Sequence, residues 1–141
     1  MIKIYFAGSI RGGRDLAKRY RELIQILQSH GKVCTEHVGD DNKFSLEDGN
    51  LTDREIHDRD LNWIRNADLM VAEVTVPSLG VGYEIANAIW LGKPLLCLYS
   101  HDAKHSLSAM ISGSEALTIE KYNTPEQAGV ILEEFIKKHT G

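Results

Sequence analysis

The sequence predicts an α/β fold, a three-layer sandwich built on a five-stranded parallel sheet. Three observations carry that expectation. Short apolar runs rich in β-forming residues alternate with stretches of helical periodicity, the pattern that right-handed crossovers between parallel strands produce. The run LMVAEV is almost unbroken in its hydrophobicity, as suits a strand covered on both faces. Glycines and capping residues fall where one pattern gives way to the other.

IKIYFA is the first strand, ending at Gly8. A helix over about 15–30 follows, with Leu16, Tyr20, Leu23 and Leu27 along one face and Gly31 as its stop. KVCTEHV reads as the second strand. From 39 to 51 the composition turns to glycine, aspartate and asparagine, as in a surface loop. Thr52 opens the next helix, because TDRE places Glu55 where a capping box needs it. Ile56, Trp63 and Ile64, with Leu61 at the edge, form the apolar side of that helix. LMVAEV is the third strand, and a helix over about 81–91 precedes Gly92. KPLLCLYS makes the fourth strand, 104–111 a short helix, ALTIEKY the fifth strand and 125–139 a closing helix. No repeat or low-complexity linker divides the chain, so 1–141 reads as a single domain.

In a flavodoxin-like strand order, 2-1-3-4-5, chain direction reverses between strands 1 and 3, and ligands bind at the carboxyl ends beside that switch. The loops GSIRGGR and TVPSLGVGYE would then face each other across a crevice.

Composition limits what such a crevice serves. The 141 residues suffice for a buried core without disulfide or metal staples. Cys34 and Cys97 stand in apolar runs with no CxxC pattern, so they read as small buried hydrophobes in a reducing compartment. The N-terminus has neither the length nor the cleavage pattern of a signal peptide, and no run reaches membrane-spanning length. A soluble cytoplasmic protein is expected, with the nucleus also open to a eukaryotic one. The net charge of -4 argues against a nucleic-acid binder, which needs an extended basic face. Arg11, Arg14, Lys18, Arg19 and Arg21 nevertheless cluster, which leaves room for a small anionic ligand. Lys18, Arg19 and Arg21 also fit an ordinary solvated helix face, whereas Arg11 and Arg14 sit in or beside the glycine turn.

GSIRGGR has neither the Lys-Ser/Thr pair of a P-loop nor the GxGxxG spacing of a dinucleotide fold. It remains a glycine-rich turn into a helix N-terminus, where backbone N–H groups and the helix dipole favour an anion. Ser9 adds a hydroxyl, and Arg11 and Arg14 add guanidinium forks suited to phosphate. An ordinary tight turn accounts for the same glycines. Across the crevice, Glu84 falls in the first turn of its expected helix, where the dipole should keep it ionised, although glutamate is also a routine helix-opening residue there. Gly80 and Gly82 permit close backbone approach, and Ser78 offers a further hydroxyl.

Asp53, His57 and Asp60 are spaced i, i+4, i+7 on one helix face. A solvated face explains them, or Asp60 is a second reactive carboxylate. No strong metal-ligand pattern accompanies His57 and Asp60, and no metal is expected. Two carboxylates in unequal environments suit glycoside chemistry, one as ionised nucleophile and the other as proton donor.

Taken together and in order, YFAGSIRGGR, TEHV, IHDRDLNW, VAEVTVPSLGVGYE, GKPLLCLY and LSAMI resemble the 2'-deoxynucleoside 5'-monophosphate N-glycosidases, the Rcl type, within the nucleoside 2-deoxyribosyltransferase superfamily. The resemblance runs from about residue 4 to residue 111. It implies a Rossmann-like domain that hydrolyses the N-glycosidic bond of a deoxynucleoside monophosphate, releasing a free base and 2-deoxyribose 5-phosphate. It also implies a homodimer with neither metal nor organic cofactor; that no nucleic acid or membrane is a partner is expected from the charge and the apolar runs.

By that likeness Glu84 would be the nucleophile, Asp60 the acid that protonates the departing base, and Tyr5 the residue that orients Glu84. Gly8, Ser9, Ile10, Arg11, Gly12, Gly13 and Arg14 would surround the nucleotide, Ser78 and Gly80 would help to hold its phosphate, and His37 would lie over the base. Ser108, Ala109 and Met110 would complete the neighbouring subunit's site. Read alone, Tyr5 is a core aromatic, His37 a strand-end histidine and LSAMI ordinary helix packing. Glu73, a carboxylate in an apolar strand, needs a partner that the sequence does not name. Three other readings stand beside hydrolysis: a nucleoside 2-deoxyribosyltransferase, a ribonucleotide N-glycosidase and a non-catalytic nucleotide sensor. The arginine-bearing loop favours a 5'-phosphorylated substrate and so counts against the transferase.

Overall fold

The computed structural model describes residues 1–10, 14–36 and 50–140, with the side chain of Arg14 excepted. Ten elements follow one another: β1 (Lys3–Gly8), α1 (Arg14–Gln28), β2 (Lys32–Cys34), α2 (Asp53–Asn66), β3 (Leu69–Glu73), α3 (Leu79–Trp90), β4 (Leu95–Ser100), α4 (Ala109–Ser112), β5 (Thr118–Tyr122) and α5 (Pro125–Thr140). The five strands form one sheet in the order β2-β1-β3-β4-β5, and every pairing is parallel. This is the expected α/β topology, with the switch between β1 and β3.

The central strands explain the layers. Every residue of β3 is buried, so its two faces pack against two separate sets of helices. On one face Ile4, Phe6, Val71 and Leu98 meet Tyr20, Leu23 and Leu27 of α1 and Leu132 and Phe135 of α5. On the other, Tyr5, Ala7, Met70 and Ala72 meet Ile64 of α2 and Val81, Ile85 and Ala88 of α3. The alternation along β1 therefore sends Tyr5 toward α2 and α3 while Ile4 and Phe6 go the other way.

The helix boundaries have local causes. Thr52 caps α2 with a complete capping box: its side chain accepts from the Glu55 N–H, and the Glu55 side chain accepts from the Thr52 N–H. At the other end of α2, the Lys93 ammonium donates to the carbonyls of Arg65 and Ala67, both at 2.8 Å, which satisfies acceptors that a helix end leaves bare. Helix α3 starts at Leu79, two residues ahead of the expectation, because Ser78 serves as its N-cap and accepts from the Val81 N–H. Gly92, with φ of +72°, follows the end of α3 in the left-handed conformation that glycine adopts at little cost. The short helix expected over 104–111 is a single turn, α4. Of KVCTEHV, the strand keeps only Lys32–Cys34; His37 and the polar stretch after it lie outside the described residues.

Glu73 has the partners its burial requires. Its carboxylate, fully buried at the end of β3, accepts from the backbone N–H and hydroxyl of Thr75 at 2.7 and 2.9 Å. The Tyr122 hydroxyl donates a further short bond, and the Arg19 guanidinium lies 4.0 Å away. Arg19 in turn pairs with Asp102 at 3.0 Å. The ends of β3 and β5, the first half of α1 and the loop after β4 are thus joined through one buried acid.

Candidate active site

At the carboxyl end of the sheet, β1 and α3 bring two expected site residues into contact. The Tyr5 hydroxyl donates a short hydrogen bond to the Glu84 carboxylate. Tyr5 is buried and its ring lies 6.4 Å from that of Trp63, so it is a core aromatic whose polar tip reaches the crevice. Burial and the adjoining Glu84 push its phenol far above the ordinary value, which keeps it a proton donor.

Asp60 joins them from α2. It is buried where Asp53 and His57 are exposed, so the helix face read as solvated is divided: its C-terminal member enters the site. One oxygen each from Glu36, Asp60 and Glu84 lies within 4.8 Å of the others. A cation could bridge such a trio, but the protein supplies positive charge of its own. Arg59 donates from Nε to Asp60 Oδ1 at 2.9 Å, its Nη2 lies 3.9 Å from Glu36 Oε1, and its guanidinium stacks 4.6 Å over the Trp63 ring.

The expectation that the helix dipole holds Glu84 ionised needs correction. Because α3 starts at Leu79, Glu84 sits in its second turn, beyond the reach of most of the dipole effect. Burial dominates instead and raises its pKa to about 7; the Tyr5 hydrogen bond lowers it, Glu36 raises it and Arg59 lowers it. Near neutrality Glu84 is divided between its two protonation states.

The glycine turn is partly described. Gly8 is obligatory: a Cβ there would lie 2.7 Å from the Tyr20 ring. The Tyr20 hydroxyl accepts from the Ser9 N–H at 2.9 Å, so that backbone donor is already engaged. Ser9 is buried and Ile10 exposed. Arg11, Gly12 and Gly13 lie outside the described residues, and Arg14 enters as the first residue of α1. On the facing loop, Ser78 caps α3, and a Cβ on Gly80 would meet nothing nearer than the Ser78 hydroxyl at 3.8 Å. Packing within the chain does not demand glycine there.

Ser108, Ala109 and Met110 form the start of α4 and are exposed. Ser108 and Met110 line a groove of about 730 Å³ together with Ser78, Val81, Ile85 and Ile89. The lining of that groove does not include Tyr5, Asp60 or Glu84.

Sequence reasoning missed Glu36 and Arg59. Glu36 stands inside TEHV next to His37, and no motif or spacing marks it as a member of the site. Arg59 gave no periodic signal, because consecutive helix residues point in different directions; only its length lets it fold back along Trp63 to reach Asp60. A second pair, His57 with Tyr83 at 2.9 Å, ties α2 to α3 one residue from Glu84.

A model of the nucleoside 2-deoxyribosyltransferase family matches residues 4–139. The chain belongs to that family. Within it stand two curated relatives named 5-hydroxymethyl-dUMP N-hydrolase. The rat protein is 51% identical over 112 residues, covering 79% of this chain and 69% of its own. The Danio rerio protein is 42% identical over 137 residues, covering 95% of this chain and 96% of its own. A solved structure, the CMP N-glycosidase of Clostridium botulinum, superposes with a TM-score of 0.67 at 20% identity, covering 94% of this chain and 98% of that one. At that identity the likeness concerns the fold, and it shows the Rossmann-like sandwich of this family member.

Proposed function

We propose that this nucleoside 2-deoxyribosyltransferase family member is a hydrolase that cleaves the N-glycosidic bond of 2'-deoxynucleoside 5'-monophosphates, releasing a free base and 2-deoxyribose 5-phosphate. The observation that carries the reading is the Tyr5, Glu84 and Asp60 constellation. One oxygen of Asp60 and one of Glu84 lie within 4.8 Å of each other, which supports the close pairing of about 5–5.5 Å that double-displacement glycosidases use. The curated relatives' names, with their shared 5-hydroxymethyl-dUMP, support the substrate class.

In this mechanism Glu84 Oε attacks the anomeric carbon as the C–N bond breaks, forming a deoxyribosyl ester. Asp60 gives its proton to the departing base. Water then attacks the anomeric carbon while Asp60 takes a proton back, the bond from that carbon to Glu84 Oε breaks, and Glu84 leaves as a carboxylate. Tyr5 donates to Glu84 throughout and favours its charged form before attack and after release. The 5'-phosphate would sit at the N-terminus of α1, with Ser9, Arg11, Gly12 and Gly13 on one side and Ser78 and Gly80 on the other. His37 would lie over the base.

A homodimer belongs to the same proposal, with Ser108, Ala109 and Met110 completing the neighbouring site. Its support is an apolar face that one chain leaves uncovered: Leu79 is 97% exposed, Trp90 89% and Met110 83%, beside the groove between α3 and α4.

Chromatography of the bases released from a panel of deoxy- and ribonucleoside monophosphates, 5-hydroxymethyl-dUMP included, tests the assignment. Hydrolysis confined to deoxynucleotides and abolished in Glu84→Ala is the expected result. Efficient exchange with an added second base would replace it with the transferase reading. Binding without release from any nucleotide would leave a sensor.

A further inference from the structure

We propose that Arg59 is a positioning residue of this site, its guanidinium holding Asp60 and Glu36 in place and fixing how charge is shared among the three carboxylates. The proposal rests on the reading of Glu84 as nucleophile and Asp60 as proton donor, and it deepens that reading by naming the group that balances them.

The geometry is that of a clamp. Arg59 Nε donates to Asp60 Oδ1 at 2.9 Å, and Nη2 lies 3.9 Å from Glu36 Oε1. One face of the guanidinium is fixed by Trp63, at 4.6 Å from the ring centroid, and Trp63 is itself in ring contact with Tyr5. The side chain is 23% exposed, so it is held mostly within the crevice rather than trailing into solvent. An arginine suits this place because a planar fork can stack on an aromatic ring and address two carboxylates at once.

Charge supplies the reason for a clamp. Three carboxylates, one oxygen of each within 4.8 Å of the others, repel where they are charged. Among the described residues, Tyr5 faces Glu84 from β1, Glu36 from the end of β2, and Arg59 and Asp60 from α2. Along α3 itself Tyr83 is engaged with His57. Of these neighbours, Glu36 raises the pKa of Glu84 and that of Tyr5, while Arg59 lowers both. By setting a positive charge beside Glu36 and Asp60, Arg59 favours the ionised form of Glu84.

Two readouts test this, one of which needs no turnover. The first is titration of the Glu84 side-chain carboxyl by carbon NMR in wild type, Arg59→Gln, Arg59→Lys and Glu36→Gln, with circular dichroism verifying the fold. The second is the pH profile of base release. In Arg59→Gln the Glu84 midpoint should rise by about one pH unit, the low end of what a nearby opposite charge imposes on a carboxylate. Arg59→Lys should bring it back toward wild type, and Glu36→Gln should move it the other way. The acid limb of kcat/KM should follow each displacement. A merely structural role would depress the rate at every pH and leave the midpoint in place, and an unmoved midpoint in a folded Arg59→Gln overturns the proposal. A midpoint that moves while the limb does not supports the role of Arg59 and overturns instead the assignment of Glu84 as nucleophile.

Discussion

The Tyr5 hydroxyl donates to the Glu84 carboxylate across 79 positions of sequence, and in doing so it joins the strand at the switch of the sheet to the helix that leaves β3. Burial opposes the charge on Glu84 and the phenol favours it, so the resting state of the proposed nucleophile is set by two neighbours of opposite effect.

That balance predicts a pH profile. Glu84 must be ionised to attack, and its pKa is raised to about 7, so kcat/KM should rise with pH through about 7. Tyr5→Phe removes an interaction that lowers this pKa. The limb should therefore move upward, and kcat should fall about tenfold for the loss of one hydrogen bond of about 1.4 kcal/mol. A limb that stays in place in Tyr5→Phe would argue that some other group is being titrated.

Gly80 should show a trade between stability and binding. It occupies the first turn of α3, where a Cβ would make only an ordinary contact with the Ser78 hydroxyl at 3.8 Å, and glycine in a helix costs up to about 1 kcal/mol relative to alanine. Gly80→Ala is expected to raise the thermal midpoint while increasing KM for the nucleotide. An unchanged KM would remove Gly80 from the phosphate pocket.

Glu73 makes stability depend on pH. Burial raises its pKa, ahead of the lowering contributed by Tyr122, Thr75 and Arg19. The fold therefore favours the protonated acid: its contribution is complete below the ordinary glutamate value and is lost as pH rises through the folded-state value. Denaturant unfolding of Glu73→Gln should show a flatter dependence on pH over that window. Glu73→Ala, which strands the Tyr122 and Thr75 donors, should cost about 3 kcal/mol. Identical slopes in wild type and Glu73→Gln would mean that Glu73 does not titrate there.

The uncovered face of α3 and α4 predicts a concentration dependence. Sedimentation should find a dimer, and Leu79→Glu combined with Met110→Glu should yield a folded monomer with little activity. A fully active monomer would show that each site is complete within one chain.

The fold was legible because its cues are local. Gly31, the TDRE box and Gly92 mark element ends by backbone chemistry alone, and the apolar β3 announces its place in the sheet. Asp60 and Glu84 stand out as candidate carboxylates from their spacing and setting, with their roles given by resemblance, whereas Tyr5 comes from resemblance alone, since nothing in periodicity distinguishes a core tyrosine from one whose hydroxyl meets an acid. The ionisation of Glu84 was misjudged, because the sequence shows a helix start but not the burial that outweighs it. Arg59 and Glu36 could not be weighed at all: their effect arises only when the segment after β2 is brought against the middle of α2.

Helix α2 carries Asp60, and both of its ends are secured by nearby chemistry: the capping box at Thr52 and the Lys93 ammonium on the carbonyls of Arg65 and Ala67. Thr52 and Lys93 stand far apart in the sequence, and both serve Asp60 without touching it. Neither takes part in the proposed chemistry, yet the acid assigned to it depends on both for the helix that carries it.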